Sequence, residues 1–247
     1  MKKNTKKIMI GTVAGVLLAL STSMASATSI ALYDWAFNVD GTSYEGGAHY
    51  PGAPSGLVPA MNIPGLNDGG FNWATGLGSL TWSIGGPGTT GTTHSFIAFF
   101  DHEIDEPVNS FFNEYGDTVG SAKAGQSWEI DDPYFGLISG DVIDGVLYNE
   151  NYTPGPPPLP AGSYDVSMAL GWDFTLADGD SAVVTLNLSE IMPRGGFYLI
   201  HSDPDSGQSI YFSSKLAINP VPEPATMLLL VTGLVGLAEA RRRKMAV

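Results

Sequence analysis

The chain has 247 residues, a formal net charge of −14 at pH 7 and no cysteine, which excludes disulfides, a cysteine nucleophile and a thiolate metal site. Eight of its 11 basic residues lie at the two ends, so residues 28–220 carry only Lys123, Arg194 and Lys215 against 23 acidic residues. This strongly negative charge argues against nucleic acid as a partner, because the phosphates would be repelled. A basic surface, in contrast, gains affinity for nucleic acid by releasing counterions.

The first 27 residues have the three parts of a secretory signal peptide. Four lysines precede an apolar run over residues 8–20, and Ala25 and Ala27 form a small-residue Ala-x-Ala cleavage site. Cleavage by signal peptidase after Ala27 would leave Thr28 as the mature N-terminus. The sequence therefore predicts export, with residues 28–220 as the exported domain.

The exported domain is predicted to be all-β. Five segments alternate apolar and polar residues with the period of two that is typical of a half-buried strand, namely 31–39, 80–84, 164–172, 184–188 and 210–218. Shorter segments of the same kind occupy 95–100, 110–115, 127–130, 142–148 and 196–201. About ten short strands with frequent turns predict an antiparallel two-sheet sandwich, with jelly-roll or immunoglobulin-like order left open.

No segment of the domain shows the 3.6-residue period of an amphipathic helix, so none is predicted there. Two stretches rich in glycine and proline, 46–71 and 85–93, are expected to lie outside the sheets. The proline-rich segment 152–162 is expected to be a stiff connector inside a single domain.

Acidic residues cluster in several predicted turns, and some of these clusters could bind a hard cation. Ca²⁺ takes about six to eight oxygen ligands, and aspartates at alternating positions can supply several from one side. The pairs Asp203 with Asp205 and Asp101 with Asp105 have this character. Ca²⁺ is the only cofactor that the sequence suggests, and the simpler interpretation is that these aspartates are solvated turn residues.

Carbohydrate is the other ligand that the composition allows. Trp73 adjoins a long loop and is the best candidate for stacking on a sugar ring, whereas Trp35, Trp82 and Trp172 lie on apolar faces of predicted strands. Paired carboxylates could serve a glycoside hydrolase. The domain has 23 carboxylates, so their spacing in the sequence does not identify one catalytic pair. The Gly-x-Ser-x-Gly motif of a serine hydrolase is not present. No catalytic residue is predicted.

The tail, residues 221–247, joins three signals. Pro222, Glu223 and Pro224 favour an extended backbone, and an uncharged apolar run over 225–238 follows. The run then meets a block of cations, Arg241, Arg242, Arg243 and Lys244. This layout predicts a single hydrophobic helix, short for a transmembrane span, with the cations remaining on the cytoplasmic side.

This tripartite tail resembles the PEP-CTERM sorting signal of Gram-negative bacteria. The resemblance implies that a membrane protease, exosortase, reads the tail and cuts near Pro222-Glu223-Pro224. It also implies transient anchoring in the inner membrane, delivery to the outer surface or extracellular matrix, and a structural or binding role with exopolysaccharide in a biofilm. Blocks at 124–130, 169–174 and 195–201 look like the bodies of uncharacterised PEP-CTERM proteins. A secreted carbohydrate-active enzyme and a calcium-dependent adhesive module are the alternatives.

Overall fold

The computed structural model describes residues 29–47, 63–85, 92–105, 113–133, 138–153, 165–220 and 225–244. Within these ranges the elements follow in the order β1 (Ile30–Val39), β2 (Thr42–Gly47), β3 (Leu66–Asn72), β4 (Leu77–Gly85), β5 (Thr92–Ile104), β6 (Tyr115–Val119), β7 (Gln126–Asp131), α1 (Ile138–Asp144), β8 (Glu150–Asn151), β9 (Ser167–Leu176), β10 (Ser181–Ser189), β11 (Tyr198–Asp203), β12 (Gln208–Asn219) and α2 (Ala225–Lys244).

The strands form two six-stranded sheets. Sheet A has the order β2-β1-β5-β9-β7-β8, and sheet B has the order β3-β4-β10-β12-β11-β6. Neighbouring strands pair antiparallel, apart from a short parallel contact between β7 and β8. The predicted all-β antiparallel sandwich is therefore confirmed.

The core fills the space between the sheets because alternate residues of each strand face inward. In β10 every second residue is buried, and Val184 is paired with Trp82 of β4. Phe100 of β5 packs against Phe37 and Phe212, with ring centroids 5.7 and 5.4 Å apart. Aromatic rings from both sheets thus meet at the centre of the sandwich.

The helix α1 packs on the outer face of sheet A and was not predicted. Its buried residues Ile138 and Val142, four positions apart, contact a second apolar cluster that includes Ile97 and Phe99 of β5. The prediction of a strand over 142–148 is therefore wrong. A helix of seven residues, about two turns, with two buried positions is too short to produce a recognisable 3.6-residue pattern.

Parts of the two stretches expected outside the sheets are strands. The strand β3 lies within the stretch 46–71 and forms the edge of sheet B beside β4. Thr92 and Thr93 already belong to β5 and pair with β9. Edge strands need fewer apolar residues, because only one of their sides is paired and their faces are partly open. Residues 154–162 of the predicted connector lie outside the described residues.

The C-terminal helix α2 confirms the predicted single hydrophobic helix after the sandwich. Its described side chains, 229–238 together with Arg241 and Arg242, are exposed. No helix in the described part of the chain is long and apolar enough to cross a membrane, so the predicted short transmembrane helix is not found there. Both core clusters are built from residues between Leu32 and Phe212.

Candidate functional site

The four aspartates predicted as possible cation ligands do not meet at one point. Asp203 is buried, and its carboxylate accepts hydrogen bonds from the backbone N–H groups of Asp205 and Ser206 at 3.0 and 2.9 Å. Asp205 is exposed at the same turn. Asp101 is buried, and the half-exposed Asp105 has a left-handed backbone with φ of 57°. No group of three or more histidine and acidic side chains within the described ranges is arranged to hold a metal ion.

Trp73 is only partly accessible. Its ring lies 5.3 Å from that of Trp35 and 4.9 Å from that of Phe71, and its indole N–H donates to Asp68 Oδ2 at 2.8 Å. The ring thus closes one edge of the core, and its stacking on a sugar stays a prediction. The other three tryptophans placed on apolar faces, Trp35, Trp82 and Trp172, are at most 4 % exposed.

Some of the predicted site residues fall outside the described part of the chain. These are the signal cleavage residues Ala25, Ala27 and Thr28 and the sorting residues Pro222, Glu223 and Pro224. The four tail cations, Arg241, Arg242, Arg243 and Lys244, all lie within the last turns of α2.

Sequence reasoning missed a cluster of buried carboxyl groups at one end of the sandwich. The pairing of Asp101 with Ser167 brings the end of β5 beside the start of β9, and the pairing of Ser202 with Tyr115 brings the end of β11 beside the start of β6. We call the five side chains collected there, each at most 7 % exposed, the acidic end: Asp101, Glu103, Glu114, Asp165 and Asp203.

Burial makes the charged forms of these groups unfavourable. Burial, followed by the nearby carboxyl groups of Asp165 and Glu103, raises the pKa of Asp101 well above its ordinary value. Burial and Glu103 likewise raise the pKa of Asp165 to about 8. Neither oxygen of Asp101 has a hydrogen-bond partner, and Oδ1 of Asp165 also lacks one. Burial therefore favours the protonated forms of Asp101 and Asp165, and a cation bound at the acidic end would have to displace those protons.

Glu114 and His201 form the strongest polar contact of this region. Oε2 of Glu114 lies 2.6 Å from Nε2 of His201 and also accepts the backbone N–H of Val166 at 3.3 Å. Burial lowers the pKa of His201 to about 4 and raises the pKa of Glu114. Burial thus disfavours the ionised forms of both groups, and the bond from the Val166 N–H to Glu114 ties this pair to the start of β9 in sheet A.

His102 lies nearby but has a structural role. Its Nε2–H donates to the carbonyl oxygen of Gly76 at 3.1 Å, and the ring is fully buried. Burial lowers the pKa of His102 to about 3, so the ring is neutral across the physiological range. It joins β5 to the turn before β4 and offers no proton to a substrate at neutral pH.

A pocket of about 260 Å³ lies at another place on the sandwich, where the two sheets meet. Gln126 comes from β7 of sheet A, whereas Asn187 and Ser214 come from β10 and β12 of sheet B. Lys123 and Lys215 also line it. We call this site the lysine pocket. The one sequence signal that could have found it is that these lysines are two of only three cations between residues 28 and 220.

The arrangement of a self-contained sandwich followed by an exposed hydrophobic helix with a basic end defines a domain that carries a C-terminal sorting segment. Residues 220–244 match the family described as the PEP-CTERM protein-sorting motif, so the chain carries this sorting motif at its C-terminal end. No curated protein and no solved structure matches the chain. The motif implies exosortase-dependent sorting to the cell surface or extracellular space of a Gram-negative bacterium.

Proposed function

We propose that the protein is a non-enzymatic component of the cell surface or extracellular matrix whose sandwich binds exopolysaccharide in a biofilm. The observation that carries this proposal is the sorting motif at residues 220–244, directly after a sandwich with its own core. Signal peptidase would cut after Ala27, and exosortase near Pro222-Glu223-Pro224. Before that cut, the tail would be held at the inner membrane with its cations on the cytoplasmic side.

The position of the tail supports its removal as a maturation step. The last core residue is Phe212, and the described side chains of α2 are exposed. Among the side chains that the structure describes, loss of the tail would therefore remove none that is buried in the sandwich, so we expect processing to leave the domain's stability largely unchanged. A segment that contributed to the core could not be released in this way.

Mass spectrometry of the mature protein tests the processing step. In a producing strain we expect a chain that begins at Thr28 and ends close to Pro222-Glu223-Pro224, and a longer chain when the exosortase is deleted. Replacement of the three motif residues by alanine should give the longer chain as well. Pro204→Ala, which removes a proline from an exposed turn, serves as the control. An intact C-terminus through Lys244 in the producing strain would contradict the proposal.

Binding of the host's exopolysaccharide tests the role of the sandwich. The mature protein should co-sediment with polysaccharide isolated from the same strain and leave its chain length unchanged. Depolymerisation by the purified protein, lost on replacement of a specific carboxyl pair, would instead identify a carbohydrate-active enzyme.

A calcium-dependent adhesive function is a second candidate, favoured by Asp101. Its two oxygens have no hydrogen-bond partner although the side chain is fully buried, and Asp165 and Glu103 lie close by. Ca²⁺ would need these side chains to converge and to release their protons. Millimolar Ca²⁺ should then raise the melting temperature, EDTA should reverse the change, and Asp101→Asn should abolish it. An unchanged melting temperature would count against this function.

A further inference from the structure

The lysine pocket collects positive charge on a domain that is otherwise strongly negative. Lys123 precedes β7 and Lys215 lies in β12, so the chain brings them together from positions 92 residues apart. Both side chains are exposed at the rim, which leaves the pocket open to solvent. Arg194, the remaining cation of the domain, is exposed in the loop that leads into the pocket wall at Gly195.

None of these three cations forms an ion pair in the described part of the chain. The domain has 23 acidic residues, so a cation placed for stability would find a carboxylate partner easily. Two lysines that instead line one pocket without an acidic partner leave a local positive charge, which a bound anion would neutralise. The charge distribution therefore favours ligand binding at this place over a stabilising role.

The uncharged side chains of the pocket also present mainly hydrogen-bond donors. Ser214 Oγ accepts from Gln126 Nε2 at 3.0 Å and from Trp172 Nε1 at 2.9 Å. A hydroxyl oxygen has two acceptor sites and one hydrogen, so Ser214 has only its O–H left to offer. Gln126 is oriented by the backbone N–H of Lys123, which donates to its Oε1 at 3.1 Å and leaves the second amide hydrogen free.

Asn187 lines the pocket from the outer face of sheet B, because its partner in β12 is Ser213, whereas Ser214 is paired with the buried Leu186 and faces sheet A. Its Oδ1 accepts from Ser79 Oγ at 3.1 Å, which directs the amide nitrogen, a donor, to the other side of the group. Asn187 and Lys215 lie on adjacent strands of sheet B, where β10 and β12 pair over nine positions. The Lys215 ammonium and the Asn187 amide N–H, which share this outer face, match a small oxyanion, which only accepts hydrogen bonds.

We propose that the lysine pocket binds the carboxylate of an acidic sugar residue of the exopolysaccharide. This inference rests on the proposed function, which supplies the polysaccharide, while the pocket specifies which chemical group is recognised. The volume of about 260 Å³ suits one sugar residue, since pockets for larger organic ligands start at roughly 300 Å³. The hydroxyl groups of a neutral sugar could accept hydrogen bonds from the pocket, but they would not neutralise the positive charge of the two lysines.

Three probes distinguish the possible sources of the anion. The mature protein is titrated with galacturonate, with galactose and with inorganic phosphate, and backbone amide resonances are followed by NMR. We expect galacturonate to shift the resonances of Lys123, Gln126 and Lys215, with binding that weakens at about 0.5 M salt. Galactose should shift them little at the same concentration. Phosphate binding as tight as that of galacturonate would overturn the assignment to a sugar.

Charge-matched variants locate the site. Lys123→Gln and Lys215→Gln should each weaken galacturonate binding about fivefold or more, because each removes a charge-assisted hydrogen bond. Arg194→Gln removes the same charge from the same region outside the pocket lining and should change binding less than about twofold. Equal weakening of galacturonate binding by all three variants would show that only the net charge of the domain matters, and it would overturn the pocket assignment. Circular dichroism and melting temperature confirm that each variant is folded.

The pocket and the proposed function can fail separately. If the protein co-sediments with its host exopolysaccharide and the two lysine variants do so equally well, the pocket assignment is overturned and the matrix function stands. If galacturonate binds in the lysine-dependent manner but the host exopolysaccharide does not, the pocket assignment stands and the matrix function is overturned.

Discussion

The acidic end predicts that the protein loses stability as the pH rises. Asp165 ionises near its ordinary pKa of 3.8 in the unfolded chain, whereas in the folded protein burial and Glu103 raise its pKa to about 8. Between these values the folded state binds more protons than the unfolded state, so the free energy of unfolding falls with increasing pH. The contribution of the protonated group is complete below pH 4 and is lost by about pH 8.

The size of this pH effect on the free energy of unfolding follows from the difference between the folded and unfolded pKa values of Asp165. Each pKa unit corresponds to about 1.4 kcal/mol, so Asp165 alone would lower the free energy of unfolding by up to about 6 kcal/mol between pH 4 and pH 8. Asp101 and Glu103 share the same region, so part of this effect belongs to them. We expect Asp165→Asn to stabilise the protein by about 2 to 5 kcal/mol at pH 8 and to change it by less than about 1 kcal/mol at pH 4.

Urea denaturation of the mature protein at pH 4, 6 and 8 measures this dependence. The wild-type midpoint should fall across the series, and the Asp165→Asn midpoint should fall much less. Glu190→Gln removes a carboxylate that is exposed just after β10 and should leave the wild-type pH dependence intact. A stabilisation by Asp165→Asn that is the same at pH 4 and pH 8, or a loss of stability at pH 8, would refute the account of the acidic end.

Three further predictions test the packing around this region. Asp101→Asn combined with Asp165→Asn should show an interaction energy above about 1 kcal/mol at pH 8 and none at pH 4, measured by a double-mutant cycle. Phe100→Ala should cost about 3 to 5 kcal/mol in urea denaturation at pH 5, and a loss below about 2 kcal/mol would contradict its central place in the core. Gly76→Ala places a Cβ against the His102 ring at φ of +67°, whereas Gly207→Ala at φ of +69° meets no atom within 4 Å. Gly76→Ala should therefore lower the melting temperature more than Gly207→Ala, and equal decreases would assign the cost to backbone conformation alone.

The strands with regular alternation could be predicted from the sequence, because their inward and outward residues differ in polarity over many positions. The strand β10, with four buried residues alternating with partly exposed ones, is the clearest example. The strand β3 could not be found in this way, since its sequence LNDGGFN combines low strand propensity with an edge position. The sorting tail was predictable because its signals are contiguous in the sequence and its family matches residues 220–244.

The acidic end and the lysine pocket could not be predicted, because both depend on strand register. Asp101 and Asp105 looked alike in the sequence, yet Asp101 faces a buried surface and Asp105 ends the strand at a turn. Asp165 joins Asp101 only through the antiparallel pairing of β5 with β9. Lys123, just before β7 of sheet A, and Lys215, in β12 of sheet B, likewise come together only when the two sheets stack. Such long-range pairing is absent from any local pattern.

The strand that leads into the tail determines how the domain would carry mechanical load. β12 lies inside sheet B, paired with β10 over nine positions and with β11 over six. A pull along the axis of this strand would load the hydrogen bonds on both of its sides in shear, so that they would have to break nearly together. An edge strand would instead peel away one bond at a time. While its tail is attached to the cell, the domain should therefore resist forces from flow or from neighbouring cells without losing its fold.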